Sequence, residues 1–268
     1  MNLQKDTPPD VERLQADIYR KMPFGAKAGL VRNAWTRARD LHAAGVRLRR
    51  ADAGAAEIHA DWLKVLFGPA APSPRGAPVE ENADLWTLVF DLVHILERFD
   101  IRVALGGSMA SSIFGKPRFT EDADLTVEPF PGKEEAFGAA LDAAYYVSLD
   151  TVKRANRESG SFNIIHTTSG FKIDVFVKKN APFEESAFGR RRRVLLANDT
   201  IQVFSPEDII LFKLAWFRLG GQVSDRQWGD ILGVLQVQRD QLDYAYLEQW
   251  AAQLGLAELL REARKTAS

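Results

Sequence analysis

Three stretches of this 268-residue chain carry residue types that could do chemistry together. They are Leu105-Gly106-Gly107-Ser108, then Arg118-Phe119-Thr120-Glu121-Asp122-Ala123-Asp124-Leu125, then Lys172-Ile173-Asp174-Val175-Phe176. Strand side chains alternate between faces, so Asp122 and Asp124 point the same way from a strand running to Glu128. Two carboxylates side by side repel, and such a pair is tolerable when cations neutralise it. Asp174 lies between Ile173 and Val175, and an acid in an apolar strand likewise calls for a cation or a hydrogen-bond donor. Three such acids on neighbouring strands suit two Mg²⁺ (or Mn²⁺) ions about 3.5–4 Å apart, the arrangement that clamps both ends of an in-line displacement at phosphorus. Gly106, Gly107 and Ser108 supply the other half. Glycines after a strand let backbone N–H groups approach a phosphate, the following helix presents its positive end to it, and the Ser108 hydroxyl can donate once more. Taken singly, each stretch has a plainer reading: a turn, a solvated loop, a charge on an edge strand. Their order along the chain favours phosphoryl chemistry.

The elements that must position these residues can be read from the hydrophobic pattern. Helical spacing predicts helices over Val11 to Lys21, Ala26 to Ala44 with Gly45 as its stop, and Ala55 to Phe67. Gly68 to Pro78 holds four prolines in eleven residues and reads as a linker. Beyond it the pattern predicts a helix from Asn82 to Arg98, a strand from Ile101 to Leu105, a helix from Met109 to Phe114, a strand from Ala123 to Glu128 and a helix from Glu134 to Tyr145. A hairpin follows, Phe162 to Thr167 and Phe171 to Val177 joined through Thr168 and Gly170. From Ser205, a helix N-cap ahead of Pro206, the chain reads as all-helical, with further helices over Asp225 to Val237, Tyr244 to Leu254 and Ala257 to Lys265. The expected fold class is α+β: a mixed β-sheet core at 82–204, a C-terminal helical bundle at 205–268, and an N-terminal helical module at 1–68 joined by the Pro-rich linker 69–81. The module carries twelve Lys and Arg against eight Asp and Glu, so it is basic while the rest is acidic. The expectation is a separable module that docks beside the core and modulates it.

Composition narrows the function classes. A net charge of −1 excludes a protein that binds nucleic acid by its overall charge. The absence of cysteine excludes disulfides, thiolate metal sites and cysteine nucleophiles. No apolar run approaches the ~20 residues of a membrane span, and the N-terminus has no apolar signal core, so a cytoplasmic protein without membrane contact is expected. His42, His59, His94 and His166 show no metal-ligand spacing. Arg190-Arg191-Arg192-Arg193 could steer an anionic acceptor, although a solvated loop or strand end is the slightly favoured reading. Trp216, Trp228 and Trp250 fall in apolar helical patterns and read as core. Lys213 is the one charge in the apolar run Ile209 to Phe217, which is costly unless it snorkels or faces an anion.

These motifs resemble the polymerase-beta nucleotidyltransferase superfamily, and within it the minimal bacterial nucleotidyltransferases of the AbiEii toxin type. The resemblance runs from about Leu105 to the C-terminus. It implies a nucleotidyltransferase core in which Asp122, Asp124 and Asp174 are catalytic and bind the metal. It also implies that Gly106, Gly107, Ser108, Arg118, Thr120, Lys213 and Asp230 serve the nucleotide. It implies transfer of a nucleoside monophosphate from an NTP to a hydroxyl acceptor, an RNA 3′ end or a protein, and a toxin–antitoxin setting with an antitoxin partner or self-association. The family's late basic-Asp-x-x-Asp motif reads Arg226-Gln227-Trp228-Gly229-Asp230 here. Gln227 replaces the first acid, which bears on the acceptor or partner and leaves the metal site alone. The alternative reading is a non-catalytic nucleotide-binding or antitoxin-like regulator on the same fold.

Overall fold

The computed structural model describes residues 8–67, 85–120, 122–141, 144–167, 169, 171–196 and 199–268. The Pro-rich linker, and residues 168 and 170 of the expected hairpin turn, lie outside them. In chain order the helices are α1 (Pro9–Lys21), α2 (Phe24–Arg49), α3 (Ala55–Phe67), α4 (Leu85–Arg98), α5 (Gly107–Phe114), α6 (Glu134–Ala140), α7 (Leu149–Glu158), α8 (Pro182–Gly189), α9 (Pro206–Leu219), α10 (Asp225–Gln238), α11 (Tyr244–Gln253) and α12 (Ala257–Ala267). The strands are β1 (Val103–Leu105), β2 (Asp122–Val127), β3 (Tyr145–Tyr146), β4 (Ser161–His166), β5 (Lys172–Val177), β6 (Arg192–Leu196) and β7 (Asp199–Val203). No helix among the described residues is long and apolar enough to cross a membrane.

Contacts divide the chain into two units: one of Leu30–Leu105 and Phe119–Asn180, the other of Met1–Gly29, Gly106–Arg118 and Ala181–Ser268. The first boundary falls inside α2, while the boundary expected near residue 68 lies outside the described residues. In the first unit the strands run in the order β3-β4-β5-β2-β1. The β2–β5 pair is parallel and the β1–β2, β3–β4 and β4–β5 pairs are antiparallel, so the sheet is mixed as expected. Period-two alternation explains its two faces. Ala123, Leu125, Val127, Ile173, Val175, Val177, Phe162 and Ile164 are all buried, under α4, α6 and α7, and residues between them stay partly exposed. Asn156 of α7 is a buried polar exception and is satisfied: its Oδ1 accepts from the Phe130 N–H at 3.0 Å and its Nδ2 donates to Glu134 at 3.2 Å.

The second unit centres on α10, against which α1, α5, α9 and α12 pack. Close approach of α5 and α10 depends on Gly115. A Cβ there would stand 2.8 Å from the Ser111 carbonyl oxygen and 2.9 Å from the backbone of Gly233 and Val234. The N-terminal end of the chain is tied to this bundle. Arg20 donates to the carbonyls of Gln236 and Val237 at 2.8 and 3.0 Å, and buried Lys27 donates from Nζ to the Ile113 carbonyl at 3.0 Å. These cations meet carbonyls at the C-terminal ends of α10 and α5, where the helix dipole is negative.

Several elements differ from the pattern reading. α2 continues through Gly45 to Arg49, because Val46 is fully buried and its burial outweighs the roughly 1 kcal/mol that a mid-helix glycine costs. α6 ends at Ala140, and Tyr145, expected to be helical, lies in β3. α7, α8 and the antiparallel β6–β7 hairpin were not expected as elements. Their signals are present: Ser148 caps α7, Pro182 opens α8, and Val194, Leu196, Ile201 and Val203 alternate toward the core.

Candidate active site

The carboxylates come from the first unit. The parallel register of β2 and β5 sets the Cα of Asp174 opposite that of Asp124 and the Cα of Lys172 opposite that of Asp122. Partners across a pair share a face, so Asp122, Asp124, Lys172 and Asp174 stand together on the partly exposed side, away from the apolar layer. On the other flank of β5, Asn163 of β4 is the partner of Asp174. Thr120 is buried, and its hydroxyl donates to Asp122 Oδ1 at 2.8 Å, fixing that carboxylate. Lys172 Nζ lies 2.8 Å from Asp174 Oδ2. Burial works against the charged Lys172, but Asp174, Asp122 and Asp124 outweigh it and hold its pKa above the ordinary lysine value. Hard carboxylate oxygens on one face are the donor set that Mg²⁺ and Mn²⁺ prefer. As the side chains stand, however, no three His, Asp or Glu among the described residues are gathered closely enough to hold an ion. Backbone register brings the acids to one face, and Lys172 holds one of them.

The second unit carries a cluster of cationic residues. Gly107 opens α5 at φ +57°, a left-handed conformation that glycine adopts without strain. Ser108 follows in the first helical turn, whose N–H groups have no partner within the helix. Arg118 donates from Nη2 to Ser108 Oγ at 2.5 Å, and grips Asp230 with two parallel bonds, Nε to Oδ1 at 2.6 Å and Nη2 to Oδ2 at 2.8 Å. Lys213, buried in α9, donates from Nζ to Asp230 Oδ2 at 2.7 Å. The anion that makes a lysine tolerable in that apolar run is therefore the protein's own Asp230. Burial alone would raise the Asp230 carboxyl, but hydrogen bonds and charge from Arg118 and Lys213 hold it below the usual carboxylate range. Two cations thus share the Asp230 carboxylate.

Of the residues expected to serve the nucleotide, Thr120 orients Asp122 and Asp230 holds the Arg118–Lys213 pair. Sequence reasoning passed over Lys172, whose position two residues before Asp174 on one strand was the available signal. The arginine run has structural employment. Arg190 and Arg192 lie 3.4 and 3.5 Å from buried Glu207, Arg191 stacks on Phe188, and Arg193 donates to Thr200. Trp228 stacks on Phe217 and Trp250 packs on Phe183, but both are half-buried at the edge of the core and not within it. Trp216, expected in the core, is instead 53% exposed, because α9 is apolar on nearly every side and sequence could not say which side met water. Of the histidines, His42 lies 3.3 Å from Asp61, and His166 is 2.7 Å from Ser169 in the turn after β4.

No protein-family model and no curated protein matches the chain. Among solved structures, the chain is similar to the crystal structure of ANT(2")-Ia in complex with adenylyl-2"-tobramycin. That likeness has a TM-score of 0.44 at 15% identity, over 63% of this chain and 95% of that one. It is also similar to the crystal structure of an antigenic nucleotidyltransferase-like protein from Paracoccidioides brasiliensis, with a TM-score of 0.42 at 20% identity, over 68% and 94% of the two chains.

Proposed function

We propose that this chain is a metal-dependent nucleotidyltransferase that moves a nucleoside monophosphate from an NTP to a hydroxyl acceptor. The observation that carries the reading is the β2–β5 register, which sets Asp174 beside Asp124 and puts Asp122, Asp124 and Asp174 on one face. Mg²⁺ or Mn²⁺ held by these acids would polarise the α-phosphate and neutralise charge that develops in the transition state. The acceptor oxygen bonds to the α-phosphorus, the bond to the α–β bridging oxygen breaks, and pyrophosphate leaves. Asp174, once free of Lys172, takes the acceptor's proton, while Thr120 keeps Asp122 oriented. Within the second unit, the first-turn N–H groups of Gly107 and Ser108 and the cations Arg118 and Lys213 are groups that suit a phosphate. Ser108 Oγ accepts from Arg118, which leaves its hydrogen to donate to an anion.

Following the family resemblance, the proposed acceptor is an RNA 3′ end or a protein hydroxyl, in a toxin–antitoxin setting. The test is incubation with each α-labelled NTP, Mg²⁺ and total cellular RNA or protein, resolved on a gel. Label on a macromolecule, lost in Asp122→Asn, supports the proposal, and its absence with every NTP and both acceptor pools refutes it. A second reading, a nucleotide-binding regulator without transfer, draws on the Lys172–Asp174 ion pair. It requires NTP binding with no transfer in the same experiment.

A further inference from the structure

We propose that Lys172 is a built-in counter-ion of the carboxylate face, which holds Asp174 until a divalent cation displaces it. The proposal rests on the metal-dependent reading above and adds a residue to it. Lys172 is two residues from Asp174 on one strand and is the cross-strand partner of Asp122, so its ammonium works on the face that carries all three acids. It has taken one of them: Nζ stands 2.8 Å from Asp174 Oδ2, with the Lys172 side chain 37% exposed and that of Asp174 18% exposed. The cost of three acids on one face is thereby lowered by a positive charge within the chain.

A lysine suits this role better than an arginine would. Its ammonium is a point charge on a flexible four-carbon stem, so it can withdraw into water without breaking a bidentate grip. The pair is partly exposed, so the ion pair is weak enough for a divalent cation to replace. Displacement converts Asp174 from a salt-bridged acid into a ligand and frees Lys172. The consequence is a metal site with reduced affinity in the absence of nucleotide, because every ion that binds must first displace a charge.

The test measures Mn²⁺ binding to the full chain without nucleotide, by electron paramagnetic resonance of the free ion and by calorimetry. Lys172→Gln is expected to tighten binding about two- to fivefold, the range a part-exposed ion pair can impose. Lys172→Arg, which keeps the charge, is expected to bind no tighter than the wild type. Asp124→Asn in the Lys172→Gln background is expected to abolish the gain. Equal or weaker binding by Lys172→Gln, with Mn²⁺ still bound by both proteins, overturns the counter-ion proposal and leaves the metal reading standing. So does a gain that survives Asp124→Asn. No Mn²⁺ bound by either protein overturns the metal reading and this proposal with it.

Discussion

Removing the Asp230 carboxylate should damage stability out of proportion to the atoms lost. Asp230 accepts two bonds from Arg118 and one from Lys213, and its side chain is 4% exposed. Asp230→Ala would leave Lys213, 10% exposed, as a buried charge with its acceptor gone. Breaking a buried pair from one side costs about 3–5 kcal/mol. Arg118 is 30% exposed and regains water, so its share is smaller, about 1 kcal/mol or less. The low end of the buried range plus that share gives about 3–4 kcal/mol in all. In a Lys213→Met background the main penalty is already absent, and Asp230→Ala should then cost only about 1 kcal/mol, a coupling of about 2–3 kcal/mol. Urea unfolding followed by circular dichroism on all four proteins closes the cycle. The pH sign follows from the lowered Asp230 carboxyl. Its contribution is complete above the ordinary carboxylate range and is lost as pH falls through the depressed folded value, so the gap between wild type and Asp230→Asn should narrow in acid. A cost below about 1 kcal/mol for Asp230→Ala at an unchanged urea slope, or a coupling near zero, would refute this account of the network.

Other outcomes follow from the same structure. Gly115→Ala should destabilise by about 1–3 kcal/mol, since its Cβ would strike backbone of α5 and α10 that cannot swing aside; a neutral result in a thermal melt would contradict that packing. Burial pushes the Lys27 ammonium down from 10.5 to about 8. Above that value the unfolded chain holds the proton more tightly than the folded one, so stability should rise with pH from 8 to 10.5, and in urea melts Lys27→Met should lose that rise. Lys213→Ala should weaken NTP binding by about 1.5–3 kcal/mol as measured by calorimetry, and unchanged affinity would confine Lys213 to bracing Asp230.

How much of this was legible in the sequence depends on whether the cause is local. Asp122 and Asp124 could be placed on one face because alternation is a property of each strand by itself, whereas the parallel pairing that sets Asp174 beside Asp124 is a tertiary fact. The N-cap at Ser205, which accepts from the Asp208 N–H at 3.2 Å, is local and was legible. The partner of Lys213 was not, because Asp230 lies seventeen residues away on another helix and only packing brings them together. Nor was the role of the arginine run, whose partner Glu207 lies on α9 and not beside it in sequence. Gly45 misled as a helix stop, because burial of the next residue, Val46, decides the matter and burial is a tertiary fact.

The most direct test of the central claim follows the two ends of the triphosphate separately. The full chain is incubated with Mg²⁺, an acceptor pool and NTP labelled at either the α- or the γ-phosphorus. α-Label is expected to pass to the acceptor while γ-label appears as pyrophosphate in equal amount, and both signals should vanish in Asp124→Asn while its urea midpoint stays near that of the wild type. Transfer of γ-label to the acceptor, its release as inorganic phosphate, or undiminished turnover in Asp124→Asn would contradict the central claim.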